Sequence, residues 1–99
     1  MIQFVDWVNT IAVSPDSRFI ISGSQDRSIK VFEIASKEQV HHFRNAHAGY
    51  INAVAVTPNG KSIVSVSSDK TIKVFDLGNF DKIFHFKNAH LGIEIERIM

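Results

Sequence analysis

The chain has 99 residues, of which 44% are hydrophobic and 21% charged, and both values are typical of a single small globular domain. Its net charge of +1 and its lack of any run of Lys and Arg argue against nucleic acid and anionic membranes as partners, and the absence of cysteine excludes disulfides, thiolate catalysis and cysteine-ligated zinc. The first residues lack the pattern of a signal peptide and no stretch approaches the roughly 18 apolar residues of a membrane span, so we expect the chain in the cytoplasm or nucleus.

Four β-strands are predicted in the first half of the chain. Apolar residues alternate with polar ones at period two, and β-branched and aromatic residues dominate between turns such as Ser14-Pro15-Asp16-Ser17 and Asp26-Arg27. In chain order the strands span about Val8 to Val13, Phe19 to Ser24, Ile29 to Glu33 and Gln39 to Arg44. The charges and histidines of the fourth strand suit an outer edge strand, because charged side chains discourage association between sheet edges.

The second half of the chain repeats the first at a spacing of 43 residues. Trp7 to Gly49 laid over Tyr50 to Gly92 gives 18 identical pairs out of 43. The repeat predicts four more strands, at about Ile51 to Val56, Ser62 to Ser67, Ile72 to Asp76 and Lys82 to Lys87. A period of about 40 to 45 residues with four strands is typical of a propeller blade.

Four motifs occur in order and at matching spacing in this repeat, most completely in its second copy. They are Ala46-His47, Thr57-Pro58-Asn59-Gly60, Ser65-Val66-Ser67-Ser68-Asp69 and Thr71-Ile72-Lys73-Val74-Phe75-Asp76. With them, nearly the whole chain resembles the WD-repeat β-propeller family. The resemblance implies an all-β incomplete propeller with two four-stranded antiparallel blades, at about 7–45 and 50–88, and an extra C-terminal strand where a third repeat starts at 90–99.

The resemblance also implies a buried hydrogen-bonded network in each blade, built in the family from His, Ser, Asp and Trp. The matching residues of the second repeat are His47, Ser65, Asp69 and, in the place of Trp, Phe75. Those of the first repeat are Ser22, Asp26 and Phe32, with Phe4 where the His belongs. Since Phe lacks an N–H donor and the first repeat lacks the His, we expect an incomplete network and a looser first blade.

Two sharper interpretations of these residues are disfavoured. Ser65, His47 and Asp69 are the components of a nucleophilic triad, but no Gly-x-Ser-x-Gly elbow is present and a network repeated in each blade explains them better. The pairs His42/His47 and His85/His90 recur with the repeat, and no further ligand lies at metal-binding spacing. We therefore predict no catalytic residue, no metal and no cofactor.

Residues at one end of the predicted sheets form a candidate partner-binding rim. In antiparallel sheets the loop before the first strand and the turn between the second and third strands lie at the same end. The residues of these segments are Trp7, Tyr50, Gln25, Arg27, Ser68 and Lys70. Aromatic residues and Arg are enriched at binding hot spots, and the family resemblance implies that this rim binds a protein or peptide. Packing of Trp7 and Tyr50 between blades is the alternative.

Two blades are fewer than the about 4 to 8 of a closed propeller. The missing blades could be supplied in cis, by a longer propeller of which this chain is a piece, or by other copies of the chain; a free two-blade wedge would expose its faces. Glu94 and Arg97 interrupt the third repeat where the earlier repeats are apolar, which favours a piece of a longer propeller. We predict a non-catalytic protein-interaction scaffold. The alternative is a structural or vestigial fragment, or a self-assembling subunit, without binding activity of its own.

Overall fold

The computed structural model describes residues 7–87, which form two four-stranded antiparallel sheets. The first sheet consists of β1 (Val8–Val13), β2 (Phe19–Ser24), β3 (Ile29–Glu33) and β4 (Glu38–Phe43). The second consists of β5 (Ile51–Val56), β6 (Ser62–Ser67), β7 (Ile72–Asp76) and β8 (Lys82–Phe86). In both sheets each strand pairs with the next strand along the chain. Within this part of the chain no helix is long and apolar enough to cross a membrane.

The all-β architecture predicted from the repeat is confirmed, and the strand bounds agree closely. Six strands have the predicted bounds, whereas β4 begins and ends one residue early and β8 ends at Phe86. Asn45 has a φ of 50°, so the chain leaves the extended conformation just after β4. The predicted extra C-terminal strand at 90–99 lies outside the described residues, and so does Phe4.

The first hairpin turn of each sheet closes through side-chain hydrogen bonds that the sequence specifies. Asp16 Oδ1 accepts hydrogen bonds from Ser14 Oγ at 2.6 Å and from the Arg18 N–H at 2.9 Å. Asn59 Oδ1 accepts the corresponding bonds from Thr57 Oγ1 at 2.7 Å and from the Lys61 N–H at 2.9 Å. Asp16 and Asn59 therefore stabilise the two turns in the same way, because the side-chain oxygen of each accepts a hydrogen bond from the backbone N–H two residues later.

The two sheets share their irregularities as well as their strands. The register shifts between Val8 and Thr10 in β1 and between Ile51 and Ala53 in β5, and again between Val31 and Phe32 in β3 and between Val74 and Phe75 in β7. A bulge redirects the side chains that follow it. The repeat in the sequence therefore fixes which residues point to each face.

The main hydrophobic core lies between the sheets. We call the face of the first sheet that packs against the second sheet its downstream face, and we give the same name to the equivalent face of the second sheet; the opposite face of each sheet is its upstream face. The downstream face of the first sheet contributes Ile21, Ile29, Val31 and Phe43, and the upstream face of the second contributes Val54, Val56, Ile63, Phe75 and Leu77. The inner strands β1 and β5 are adjacent, and Asn9 Nδ2 donates to the Ile51 carbonyl at 3.1 Å.

The other two faces expose apolar residues at positions that are buried in the companion sheet. On the upstream face of the first sheet Ile11 is 59% exposed, whereas its counterpart Val54 is 5% exposed. On the downstream face of the second sheet Phe86 is 53% exposed, whereas its counterpart Phe43 is 9% exposed. The structure therefore buries one interface between the sheets, whereas each of the two outer faces has exposed apolar residues, Ile11 on one and Phe86 on the other.

Candidate functional site

A buried hydrogen-bonded network centres on His47, in the loop before β5. Its Nε2 lies 2.7 Å from Ser65 Oγ on β6, and its Nδ1 lies 2.7 Å from Thr71 Oγ1 and 3.2 Å from Asp69 Oδ2 in the turn between β6 and β7. His47 and Ser65 are almost completely buried. The structure thus brings His47, Ser65, Asp69 and Thr71 together.

Asp69 connects the turn to the loop that carries His47. Its Oδ1 accepts hydrogen bonds from the Thr71 hydroxyl and the Thr71 N–H, and its Oδ2 accepts one from the Ala48 N–H at 2.9 Å. Burial by itself raises the pKa of the Asp69 carboxyl, but these hydrogen bonds and the nearby His47 outweigh it and hold the pKa far below its usual range. Asp69 is therefore ionised near neutral pH.

The imidazole of His47 is neutral, and the hydrogen count assigns its tautomer. Burial lowers the pKa of His47, and the Asp69 carboxylate opposes this effect only in part. Because the single hydroxyl hydrogen of Thr71 goes to Asp69, Thr71 Oγ1 accepts the hydrogen of His47 Nδ1. Nε2 is then an acceptor for the Ser65 hydroxyl. The three hydrogen bonds therefore run in one direction: Ser65 Oγ donates to His47 Nε2, His47 Nδ1 donates to Thr71 Oγ1, and Thr71 Oγ1 donates to Asp69 Oδ1.

The contacts of Ser65, His47 and Asp69 have the connectivity of a nucleophilic triad. A triad serine must, however, meet a substrate carbonyl, and Ser65 has no exposed surface. Thr71 also takes the shorter contact to His47 Nδ1. The geometry therefore supports hydrogen bonding within the sheet rather than nucleophilic attack.

Phe75, the fourth predicted member, lies in the core and not in the hydrogen-bonded chain. Its ring centre is 4.4 Å from that of Phe43 on the first sheet. A Phe ring has no N–H, so Phe75 contributes packing and donates nothing to the Ser65 oxygen. Sequence reasoning missed Thr71, although a signal for it exists: a hydroxyl residue follows the turn aspartate by two positions in both repeats, as Thr71 and as Ser28.

In the first sheet the corresponding aspartate, Asp26, forms hydrogen bonds within its own turn. Asp26 Oδ1 accepts hydrogen bonds from the Ser28 N–H, at 2.9 Å, and from the Ser28 hydroxyl. Burial raises the pKa of Asp26, but these bonds outweigh it, and the pKa is lowered. Ser22 and Phe32, the other predicted members, are buried at the positions matching Ser65 and Phe75. That the first blade is the looser one stays a prediction.

The predicted rim residues lie in two equivalent pairs of segments at one end of the sheets. The Trp7 carbonyl accepts hydrogen bonds from the Gln25 N–H at 3.1 Å and from Ser24 Oγ at 2.9 Å. In the second sheet the Tyr50 carbonyl accepts from the Ser68 N–H at 3.0 Å, and the Tyr50 N–H donates to Ser68 Oγ at 2.9 Å. Each aromatic residue is thus attached to the turn beside it.

The rim presents aromatic side chains next to cationic ones. Trp7 is 73% and Tyr50 55% exposed, so neither side chain is packed between the two described sheets. Arg27 and Lys70 are also exposed, at the positive-φ position of their turns. The Ala46 N–H donates to the Arg27 carbonyl at 2.9 Å and so joins the turn of the first sheet to the loop of the second. Across residues 7–87 no group of three or more His, Asp or Glu side chains could hold a metal ion.

Comparisons with known proteins agree on one family. The model of the WD domain, G-beta repeat, matches residues 4–33 and 37–76. A 30-residue stretch is 53% identical to the nuclear distribution protein PAC1 of Scheffersomyces stipitis, and this match covers 30% of the chain and 6% of that protein.

Two solved structures are similar in fold, those of the RRP9 WD40 repeats and of U3-55K. Each has a TM-score of 0.84 and 20% sequence identity to this chain, of which 90% is covered. The matches cover 28% and 29% of the two solved chains. The chain thus spans less than a third of the structures that it matches.

Proposed function

Because the chain belongs to the WD domain, G-beta repeat, family, we propose that it is a non-catalytic protein-interaction scaffold and one part of a larger propeller. The family's repeats form interaction scaffolds, and the matched solved chains are more than three times as long as the matched part. The exposed apolar faces support the second half of the proposal, since further blades would cover them as the two sheets cover each other.

The rim formed by Trp7, Gln25, Arg27, Tyr50, Ser68 and Lys70 is the proposed binding surface. The observation that carries this proposal is the exposure of Trp7 and Tyr50 at one end of the sheets. Large exposed aromatic residues are energetically costly in water and are enriched at binding hot spots. Hydrogen bonds between their backbones and the neighbouring turns hold both residues in place. The backbone therefore loses little conformational entropy when a partner binds.

The charges of the rim indicate the chemistry of the partner. Its two charged residues, Arg27 and Lys70, are both cationic and exposed, whereas the carboxylates of Asp26 and Asp69 accept internal hydrogen bonds. We therefore propose an extended peptide segment with apolar and acidic residues as the partner, and the cytoplasm or nucleus as the place where they meet.

Selection of peptides tests this function. The full chain is immobilised, peptides are selected from a random display library, and the affinity of the best peptide is measured by fluorescence anisotropy. We expect selected peptides to combine acidic and aromatic or aliphatic residues. We expect Trp7→Ala or Tyr50→Ala to weaken binding by roughly 30-fold, which corresponds to about 2 kcal/mol.

Ile83→Ala is the matched control, because Ile83 is also an exposed apolar residue but lies on β8, away from the rim. Circular dichroism shows whether each variant keeps its β-sheet content. Binding that is unaffected by both rim substitutions would contradict the proposed surface. A chain that selects no peptide would instead favour the structural fragment without binding activity.

A further inference from the structure

The turn between β5 and β6 contains an asparagine that is followed by a glycine. Asn59 is exposed, and Gly60 has a φ of 73°, a backbone conformation that glycine adopts without strain. The following backbone nitrogen can reach the side chain of an asparagine most easily when its own residue has no Cβ atom. Asn59 is alone in this respect among residues 7–87, because every other asparagine there precedes a residue with a Cβ atom. These asparagines are Asn9, Asn45, Asn52 and Asn79.

An Asn-Gly pair can lose the side-chain amide without an enzyme. The Gly60 nitrogen gives up its proton and attacks Asn59 Cγ. A bond forms between this nitrogen and Cγ, the bond from Cγ to Nδ2 breaks, and the amide leaves as ammonia with the Gly60 proton. The resulting ring is a succinimide. Water then opens the ring at Cγ, which gives aspartate, or at the backbone carbonyl carbon of residue 59, which gives isoaspartate with one additional carbon atom in the main chain.

The closed turn keeps the two reacting groups in other hydrogen bonds. The Gly60 N–H donates to the Thr57 carbonyl at 2.8 Å. Asn59 Oδ1 accepts hydrogen bonds from Thr57 Oγ1 at 2.7 Å and from the Lys61 N–H at 2.9 Å. The attack requires the Gly60 hydrogen bond to break and the carboxamide to turn away from Lys61. The reaction therefore needs a local opening of the turn.

The first sheet shows which product the closed turn accepts. Asp16 occupies the position of Asn59 in the repeat, and its Oδ1 accepts the equivalent hydrogen bonds from Ser14 Oγ and the Arg18 N–H. These two bonds lower the pKa of the Asp16 carboxyl, so it is ionised near neutral pH. An aspartate at position 59 can therefore accept every hydrogen bond that Asn59 Oδ1 accepts. In isoaspartate the additional main-chain atom changes the spacing of the groups that close the turn.

We propose that Asn59 is a site of spontaneous covalent modification in this chain. It loses its amide through a succinimide with Gly60 when the turn between β5 and β6 opens, and the closed turn accepts the aspartate product but not the isoaspartate product. Each aspartate formed lowers the net charge of +1 by one unit. The amount of modified chain therefore records how often this turn has opened.

Ageing of the full-length chain at neutral pH tests the proposal. The wild type is incubated in buffer and in guanidinium chloride, and chromatography with mass spectrometry of its peptides measures aspartate and isoaspartate at position 59. Asn79 is the matched internal control, because its Oδ1 accepts a hydrogen bond from the Asp81 N–H at 2.9 Å but Phe80 follows it. We expect Asn59 to react roughly tenfold or more slowly in buffer than in guanidinium chloride. In guanidinium chloride it should react faster than Asn79.

Three variants separate the effect of the turn from that of the dipeptide. Thr57→Val keeps the shape of the side chain but removes the hydroxyl that donates to Asn59 Oδ1, so it should speed the reaction in buffer and leave the rate in guanidinium chloride unchanged. Asn59→Asp represents the accepted product and should have the guanidinium unfolding midpoint of the wild type. Asn59→Ala has no acceptor and should lower that midpoint.

Three results would overturn the proposal: equal wild-type rates in buffer and in guanidinium chloride, a folded Thr57→Val chain that reacts in buffer as slowly as the wild type, or a midpoint lowered equally by Asn59→Asp and Asn59→Ala. The first and third results do not require Thr57→Val to fold. None of these measurements depends on the rim, so this proposal and the proposed function fail separately.

Discussion

At the scale of single residues, the structure makes His47 the link between three segments of the second sheet. Its two ring nitrogens contact side chains from β6 and from the turn before β7, and the loop before β5 carries the imidazole itself. Sequence reasoning identified His47, Ser65 and Asp69 because the family resemblance carried them over position by position. It could not find the role of Thr71, since the direction of each hydroxyl hydrogen follows only from the distances among all four side chains.

The stability of the chain should depend on pH through His47 and Asp69. The pKa of His47 is lowered in the folded state from its ordinary value of 6.5, so the unfolded state binds more protons and the free energy of unfolding falls as the pH drops below about 6.5. The pKa of Asp69 is lowered as well, so a second loss begins near its ordinary value of 3.8. Urea unfolding between pH 7.5 and 3 measures both.

His47→Ala should lower the free energy of unfolding at pH 7 by about 3 kcal/mol, because it leaves buried Ser65 and Thr71 groups without their partner. It should also flatten the pH dependence between pH 7 and 5. His42 and His85 also have lowered pKa values and retain part of the slope, and His42→Ala is the control. A slope unchanged by His47→Ala would contradict the assignment of a neutral buried imidazole.

At the scale of elements, and among residues 7–87, equivalent turns in the two sheets differ in the segments with which their aspartates form hydrogen bonds. Asp69 binds its own turn through Thr71 and the preceding loop through the Ala48 N–H; within residues 7–87, Asp26 accepts hydrogen bonds from the Ser28 N–H and hydroxyl in its own turn. In the sequence, Asp26 and Asp69 occupy the same position of the 43-residue repeat. Their sequence contexts differ, since His47 precedes the second repeat where Phe4 precedes the first.

Asp69→Ala should therefore destabilise the chain more than Asp26→Ala. We expect losses of about 3 kcal/mol and about 1.5 kcal/mol in the free energy of unfolding, since a charged acceptor that joins two segments removes more hydrogen bonds when it is lost. The midpoints of guanidinium unfolding at pH 7 provide the comparison. Equal losses would mean that the bonds to the loop add nothing to those of the turn.

The elements themselves were predictable from the sequence, because their signals are local. Period-two alternation and the turn residues gave six strands their bounds, and the repeat confirmed each prediction with a second copy. The ends of β4 and β8 were placed less well. Asn45 is of a residue type that tolerates a positive φ, and its φ is 50°, but one such residue does not fix the last position of a strand to within one residue.

At the scale of the whole molecule, burial separates residues that the sequence treats alike. Phe43 and Phe86 are identical in type and in repeat position, yet among residues 7–87 Phe43 packs against Phe75 of the other sheet, whereas Phe86 is half exposed. Which copy is buried depends on what lies next to each sheet. A repeat pattern therefore predicts which residues lie on each face of a sheet, but not which face is covered by a neighbouring sheet.

Phe43→Ala should lower the free energy of unfolding by about 3 to 5 kcal/mol, the usual cost of a cavity at a buried aromatic residue. Phe86→Ala should cost less than about 1 kcal/mol in the isolated chain, because its ring is half exposed and little contact is lost. Chemical denaturation measures both. A large loss for Phe86→Ala would show that its face is covered in solution, and the dependence of that loss on protein concentration would tell association from covering within one chain.

The hydrogen bond from the Ala46 N–H to the Arg27 carbonyl makes one backbone amide a reporter for the junction between the sheets. Ala46 precedes His47, and Arg27 follows Asp26 in a turn of the proposed rim. Deuterium can enter this amide only when the junction opens, so its exchange rate measures the local opening free energy separately from that of either sheet. A ligand that binds Arg27 should slow this exchange. The exchange rate of the Ala46 amide would therefore report whether the rim is occupied.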